Sequence, residues 1–514
     1  MTVVTGPPVT APPVTELLDA LLAAPPGASG PAFHALTAAL WDDGALTDAA
    51  LPAVPLLTAR MRGADARGRG HLAILLGLLA EAEYPEAGPV SAAVLAETDL
   101  YFTLLASAPR NGPLSLAVRY LLAHFPVLRE RVLQAVAPLD LAADDMSRLD
   151  RALQALDPVG VSLGRVFPSP AVWTMDEREK AFDRAWIDAL SPEQVSAFWH
   201  DDTRTVFGST GAKAYWAVLN DSEVADLPMP ELPDRATLPL PGTPDPAIFA
   251  RHSAALRCPG CGGPLEFTAE SATCAADGTR YPMGGGVLDL TAPVPDDAKD
   301  FQFKLAEMPS MGLFYESYAR PNFLRMSGSD FGDSVTPEVE DAYIAEHIAP
   351  VDGPVLDMAA GAGRWTEVLA DAVGPERVIP LDLNPPMLTA LRVRLPELPA
   401  VLASAADLPV ADASLGAVLC WNALQAFPEH AAAAVREAAR CLKPGGVFCF
   451  LTFRASPDPV AAYFQRSHRF PQHDGGLKLF EPAEIDGWLA DAGLRVRHRW
   501  TPGTFVVVTA EKPE

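Results

Sequence analysis

The sequence predicts a multidomain chain: an α-helical, solenoid-like N-terminal domain, a small cysteine-bearing β module, and a C-terminal α/β doubly wound domain. Three observations carry this. Before Pro239, apolar residues recur at helical spacing in one segment after another, with no strand signals. Between residues 251 and 292, three cysteines fall among short β-type runs. After residue 350, short apolar runs alternate with helical patterns, the order that builds a parallel sheet.

Composition sets the bounds. With 514 residues the chain has room for several cores, and 49% hydrophobic against 20% charged residues describes a folded protein. The longest apolar run, Leu72 to Ala80, is broken by glycine and too short to span a bilayer. The N-terminus lacks a basic region followed by an apolar core, so a cytoplasmic location is expected. A net charge of −26 argues against nucleic acid, whose binding needs clustered Lys and Arg to displace counterions. It also disfavours anionic membranes and would steer in a neutral or cationic acceptor, although acidity equally serves solubility.

Residues 1–15 are rich in Pro, Thr and Val and read as a flexible tail. Residues 16–220 read as the helical domain with an extension, from Ala32–Trp41 through Leu51–Met61 and Arg69–Ala82 to the helices around Trp186, Trp199 and Trp216. Those tryptophans, with Trp173, suit core anchors better than a cofactor cage. The stretch Thr47–Leu57 followed by Gly68–Ala80 is similar to bacterial HEAT-like repeats. Such stacks leave a concave groove for an extended chain, or serve simply for packing or dimerisation. Residues 221–250, rich in proline and acid, read as a linker; 251–292 as the cysteine module; 293–350 as a helical lid; 351–514 as the doubly wound domain.

The chemistry concentrates at Val355-Leu-Asp-Met-Ala-Ala-Gly-Ala-Gly-Arg-Trp365. A strand, a glycine-bearing turn and a helix start in that order bring backbone N–H groups and a helix N-terminus to one point. Arg377–Asp382 reads as a second strand ending in an acid, 19 residues after Gly363, the offset at which a carboxylate can take ribose hydroxyls. Val401–Pro409, Leu415–Asn422 and Leu442–Thr452 supply the third, fourth and fifth strands.

On these residues, with the Lys443-Pro-Gly-Gly446 turn and the block Leu479–Leu494, the region from about 350 to 512 resembles class I S-adenosylmethionine-dependent methyltransferases of the ubiquinone and small-molecule type. The resemblance implies a Rossmann-like fold and S-adenosylmethionine as cofactor. It implies cofactor contacts from Asp357 behind the methionine amine, the turn residues Ala359, Gly361 and Gly363, Asp382 and Leu383 at the ribose, Ser404 and Ala405 at the adenine, and Asn422. Departures are visible. The family's first turn glycine is Ala359 here, its adenine-side aspartate is Ser404, and its Asn-x-Leu-His is Asn422-Ala-Leu-Gln425. The stretch Met308–Leu324 resembles a lid that covers the cofactor, with Tyr315 able to stack on adenine or face a sulfonium.

Cys258-Pro-Gly-Cys261, Cys274 and the ending Tyr281–Leu290 have the look of a zinc ribbon, with Asp277 where the fourth cysteine would stand. A Cys3Asp set can hold a structural zinc ion; a ribbon that keeps its fold without metal is the competing reading. Cys420, Cys441 and Cys449 lie in apolar contexts and read as buried small hydrophobes. After the fifth strand, His468 and His473 stand where the family builds acceptor-binding insertions, and either could take a proton from an acceptor. Methyl transfer itself depends mostly on proximity and orientation. The expectation is a methyltransferase acting on an amine of a peptide natural product. A small-molecule or quinone-like acceptor, an rRNA acceptor suggested by the ribbon, and a non-catalytic scaffold suggested by Ala359, Ser404 and Gln425 are the alternatives.

Overall fold

A computed structural model describes residues 12–25, 27–157, 160–166, 175–227, 245–291, 308, 310–315, 319–469 and 476–514. Its chain forms two compact units. The first comprises Met1–Ala155, Thr203–Asp226 and Pro457–His468; the second comprises Leu156–Asp202, Leu227–Ser456 and Arg469–Glu514.

Helices in chain order are α1 (Val14–Ala23), α2 (Ser29–Leu40), α3 (Ala50–Gly63), α4 (Ala66–Glu81), α5 (Pro89–Leu95), α6 (Thr98–Ser107), α7 (Pro113–Leu122), α8 (Arg129–Val136), α9 (Ala143–Ala152), α10 (Glu177–Ala189), α11 (Pro192–Asn220), α12 (Ala247–Ala250), α13 (Ser310–Phe314), α14 (Arg320–Ser327), α15 (Pro337–His347), α16 (Arg364–Val373), α17 (Pro385–Arg394), α18 (Ala431–Cys441), α19 (Pro459–Arg466) and α20 (Pro482–Asp491). Among the described residues, no single helix is long and apolar enough to cross a membrane.

The first unit packs around α4. Asp65 caps its N-terminus by accepting from Gly68 N at 2.8 Å, and every residue from Gly70 to Glu81 is buried. A helix apolar on all sides needs partners on all sides, and α4 meets α2, α3, α5 and α7. Glycine permits the closest approach: a Cβ at Gly77 would lie 2.4 Å from the Tyr120 ring on α7. A two-residue Asp43-Gly44 turn, both residues left-handed, joins β1 (Trp41–Asp42) to β2 (Ala45–Leu46).

This unit includes α19, which follows the fifth strand of the doubly wound domain in the chain. Asp458 caps α19 by accepting from Val460 N and Ala461 N at 2.9 Å, and its other oxygen meets His34 and Tyr215 at 2.9 and 2.8 Å. Tyr463 donates to buried Glu81 at 2.8 Å, and Phe464, fully buried, packs on Tyr120. The sequence boundary at 351–514 therefore does not describe a continuous body. Part of the expected linker is also packed: Val224 N–H donates to Asn111 O at 3.3 Å, and Asp226 accepts from Arg110 and Asn111. Helix α1 begins at Val14, inside the stretch expected as a tail; residues 1–11 and 228–244 lie outside the described residues.

Among the described residues of the second unit, eleven strands form one sheet: β3 (Leu265–Phe267), β4 (Ser271–Cys274), β5 (Arg280–Gly284), β6 (Val287–Asp289), β7 (Val355–Met358), β8 (Val378–Asp382), β9 (Ala400–Leu402), β10 (Leu415–Trp421), β11 (Leu442–Phe453), β12 (Arg495–Trp500) and β13 (Phe505–Glu511), in the order β12-β13-β11-β10-β7-β8-β9-β6-β5-β4-β3. From β11 to β9 the strands are parallel. β7 and β10 are buried throughout, as strands covered on both faces must be. Cys420, Cys441 and Cys449 are fully buried.

The cysteine module is continuous with this sheet, where a separate ribbon was expected. β6 pairs in parallel with β9, with Leu288 opposite Val401, so Val-Leu-Asp289 serves as a sheet strand. Helix α10, read from sequence as part of the helical domain, falls in the second unit: Glu179 closes its capping box and accepts from Ser310 N of α13 at 2.7 Å.

Candidate functional site

Strand order reverses between β7 and β10, because the chain winds outward from β7 through β8 to β9 and then returns on the other side as β10 and β11. A crevice outside the carboxyl ends of such strands is where doubly wound sheets receive ligands. Register places Leu419 of β10 beside Asp357 of β7, so the tips of the two strands reach the switch point together.

The turn after β7 is left-handed at Ala359 (φ 62°), Gly361 (57°) and Gly363 (90°), and Gly363 then caps α16. The alanine keeps the backbone shape that the glycine pattern implies. A Cβ at Gly361 would meet nothing within 4 Å, so this part of the turn faces open space, whereas one at Gly363 would press on Leu391 at 3.0 Å. Asp382, at the end of β8, accepts from Gly361 N through one oxygen and from Asn384 N through the other, both at 2.8 Å. Burial raises its pKa, against the lowering effect of those N–H groups. Ala403 N donates to Asp382 O at 3.0 Å and ties the loop carrying Ser404 and Ala405 to the same strand tip. Ser404 spends its hydroxyl oxygen on Ala406 N at 3.2 Å. Leu383, 42% exposed, offers an apolar surface beside Asp382.

Asp357 is buried and accepts from Thr366 Oγ1 at 2.5 Å; burial pushes its pKa up to about 7. Asn422 follows β10, left-handed at φ 56°, and donates to the Tyr315 hydroxyl at 3.3 Å. Helix α13 packs close to the turn: a Cβ at Gly312 would stand 3.2 Å from Ala390 of α17 and 3.9 Å from Ala362. A buried ion pair ties α14 to α15. Arg320 of α14 donates to Glu340 of α15 at 3.0 Å and stacks over Trp365 at 3.9 Å, while Trp421 Nε1 donates to Glu340 at 3.2 Å. Sequence reasoning missed this four-residue anchor, whose members are far apart in the chain.

The structure thus brings Asp357, Ala359, Gly361, Gly363, Asp382, Leu383, Ser404, Ala405, Asn422 and Tyr315 onto neighbouring strand tips, turns and lid of one unit. The two histidines fare differently. His468 belongs to the first unit, where burial and then the charge of Arg148 lower its pKa to about 4. His473 lies outside the described residues.

At the cysteine module, one donor atom each from Cys258, Cys261, Cys274 and Asp277 lie within 4.8 Å of one another. Two turns aim them: Gly262 N donates to Cys258 O at 2.8 Å, and Gly278 N to Cys274 O at 2.9 Å. Thr279 N–H donates to Asp277 Oδ1 at 2.9 Å and holds that carboxyl below the usual range, keeping it ionised as a ligand must be.

The family model "Methyltransferase domain" matches residues 355–446. The chain is 27% identical over 222 residues to an uncharacterized chloroplastic methyltransferase of Arabidopsis thaliana, covering 41% of this chain and 61% of that protein. It is 31% identical over 131 residues to malonyl-[acyl-carrier protein] O-methyltransferase of Methylococcus capsulatus, covering 24% and 47%. It is 32% identical over 170 residues to the ubiquinone biosynthesis O-methyltransferase of Sodalis glossinidius, covering 30% and 66%. The second unit therefore carries a methyltransferase domain with a Rossmann-like sheet, and the chain spans about half to two thirds of these relatives' own lengths.

Proposed function

We propose that this protein is an S-adenosylmethionine-dependent methyltransferase acting on a small-molecule oxygen. The observation that carries the reading is the open face of Gly361 beside the Asp382 carboxylate, at the switch point of a sheet that matches the methyltransferase domain. The residues suit the cofactor: Asp382 for ribose hydroxyls, Leu383 and the Ser404–Ala405 loop for the base, the turn and Asn422 for the amino-acid end. When bound, S-adenosylmethionine supplies an activated methyl group. The chain's part is to hold the partners in line and exclude water, with the lid tied down through Arg320 and Glu340.

Two relatives named as O-methyltransferases support an oxygen acceptor. The peptide amine expected from sequence rests on the acidic balance and on the helical unit, where the helix pairs α3–α4 and α6–α7 and the α4–α7 contact support a HEAT-like stack able to seat an extended chain. For the cysteine module we favour a structural zinc ion: three cysteine sulfurs and one ionised carboxylate within 4.8 Å of one another supply the four ligands such a site needs.

Calorimetric titration with S-adenosylhomocysteine tests the reading. Wild type should bind, and Asp382→Ala should bind at least tenfold more weakly, a loss of about 1.4 kcal/mol. No heat from wild type with this ligand or with S-adenosylmethionine would leave a scaffold in place of an enzyme.

A further inference from the structure

The side chain at position 425 bears on which end of Asn422 meets a ligand. Gln425 is 2% exposed, Asn422 6% and Thr452 0%. Gln425 Nε2 lies 2.9 Å from both Asn422 O and Asn422 Oδ1, and Gln425 Oε1 lies 2.9 Å from Thr452 Oγ1.

One member of this set has no choice of role. The backbone carbonyl of Asn422 can only accept, so the Gln425 atom facing it must be the nitrogen. The other end of Gln425 is then the oxygen, and Thr452 must donate to it. The Asn422 atom facing Gln425 Nε2 must likewise be Oδ1, which turns Nδ2 outward. All donors and acceptors of Gln425 that point inward are used, and none of the three side chains titrates. Asn422 Nδ2 carries two hydrogens. One goes to the Tyr315 hydroxyl at 3.3 Å; the other has no partner among the described residues.

Asn422 stands three residues beyond Leu419, the partner of Asp357, and so at the strand tip beside the switch point. Its left-handed backbone, which costs about 1 kcal/mol or more, is held by Leu451 O accepting its N–H and by Gln425 donating to its carbonyl.

We propose that Gln425 is a positioning residue that locks Asn422 as a hydrogen-bond donor to the carboxylate of the amino-acid part of the bound nucleoside. This rests on the nucleoside reading of the crevice. An amide held in this sense donates to a carboxylate oxygen and repels an ammonium group. Histidine at position 425 would make the lock pH-dependent, whereas glutamine keeps it at any pH the fold survives.

The test compares two ligands on the full-length protein. S-adenosylhomocysteine carries the carboxylate; 5′-methylthioadenosine has the same nucleoside and lacks the amino acid. Gln425→Glu keeps the shape but, when ionised, cannot donate to either Asn422 oxygen, so the Asn422 amide is released or reversed. We expect its affinity for S-adenosylhomocysteine to fall at least tenfold while that for 5′-methylthioadenosine stays within twofold. Asn422→Ala should show the same split, and it carries the comparison if Gln425→Glu does not fold. Unchanged affinity for both ligands would overturn the proposal, as would an equal loss for both, which marks general damage to the crevice. Wild type that binds neither ligand would overturn the nucleoside reading, and this inference with it.

Discussion

The nucleoside turn and the cysteine module lie in the same sheet-bearing unit, and each departs at one position from the pattern it resembles. The turn is made of backbone. Ala359 stands where glycine is usual, and the chain keeps the left-handed conformation there because Ala360 N–H bonds to Leu381 O and Asp382 grips Gly361 N. The module is made of side chains. Asp277 stands where a fourth cysteine would be, and it contributes only because its own oxygen lies with three sulfurs. A backbone site tolerates substitution at the cost of strain, while a side-chain site depends on donor identity.

Breaking the turn from inside should have the largest effect. Asp357 titrates near pH 7 when folded and near 4 when unfolded, so its contribution to stability is full below pH 4 and is lost as pH rises through 7. Asp357→Asn does not titrate. Wild-type stability, measured against this variant by chemical denaturation, should fall by about 4 kcal/mol between pH 4 and 7 and level off above. A flat difference curve would show that Asp357 is not buried as described.

Next in size is the module. Cys274→Ser should lower zinc affinity by more than about 100-fold, beyond what loss of an outer-sphere partner costs, as read by competition with a chromophoric chelator. Purified protein without stoichiometric zinc, and with a melting temperature indifferent to chelator, would make the module a metal-free fold and erase the contrast. Ala359→Gly sharpens the comparison at the small end. Relief of left-handed strain, about 1–2 kcal/mol, is offset by about 0.5–1 kcal/mol of glycine chain entropy, for a net gain of about 0.5 kcal/mol in thermal unfolding. Destabilisation would mean that the methyl group of Ala359 packs usefully.

The strand tips were legible because the chemistry is local: an apolar run followed at once by Asp357, Asp382 or Asn422 marks both a buried strand and its functional end. The cysteine spacing was legible for the same reason. What escaped was long-range. Nothing near Leu288 signals a parallel partner at Val401, and nothing near Glu179 announces Ser310. Gln425 was read as a departure from the family's histidine; its neighbours show it engaged with Asn422 and Thr452. His468 drew notice because it follows the fifth strand, where the family builds acceptor-binding insertions; the structure places it in the first unit, with its pKa lowered by burial.

The helix Pro459–Arg466 has a consequence for how the protein is made. Glu81, Tyr120 and Tyr215 wait for Tyr463, Phe464 and Asp458, so a nascent chain cannot finish its first unit until the ribosome has translated most of the second. Removing residues 1–240 would strand this helix without its host, and residues 1–226 alone would lack a piece of their own core. The two units cannot be parted by a single cut of the chain.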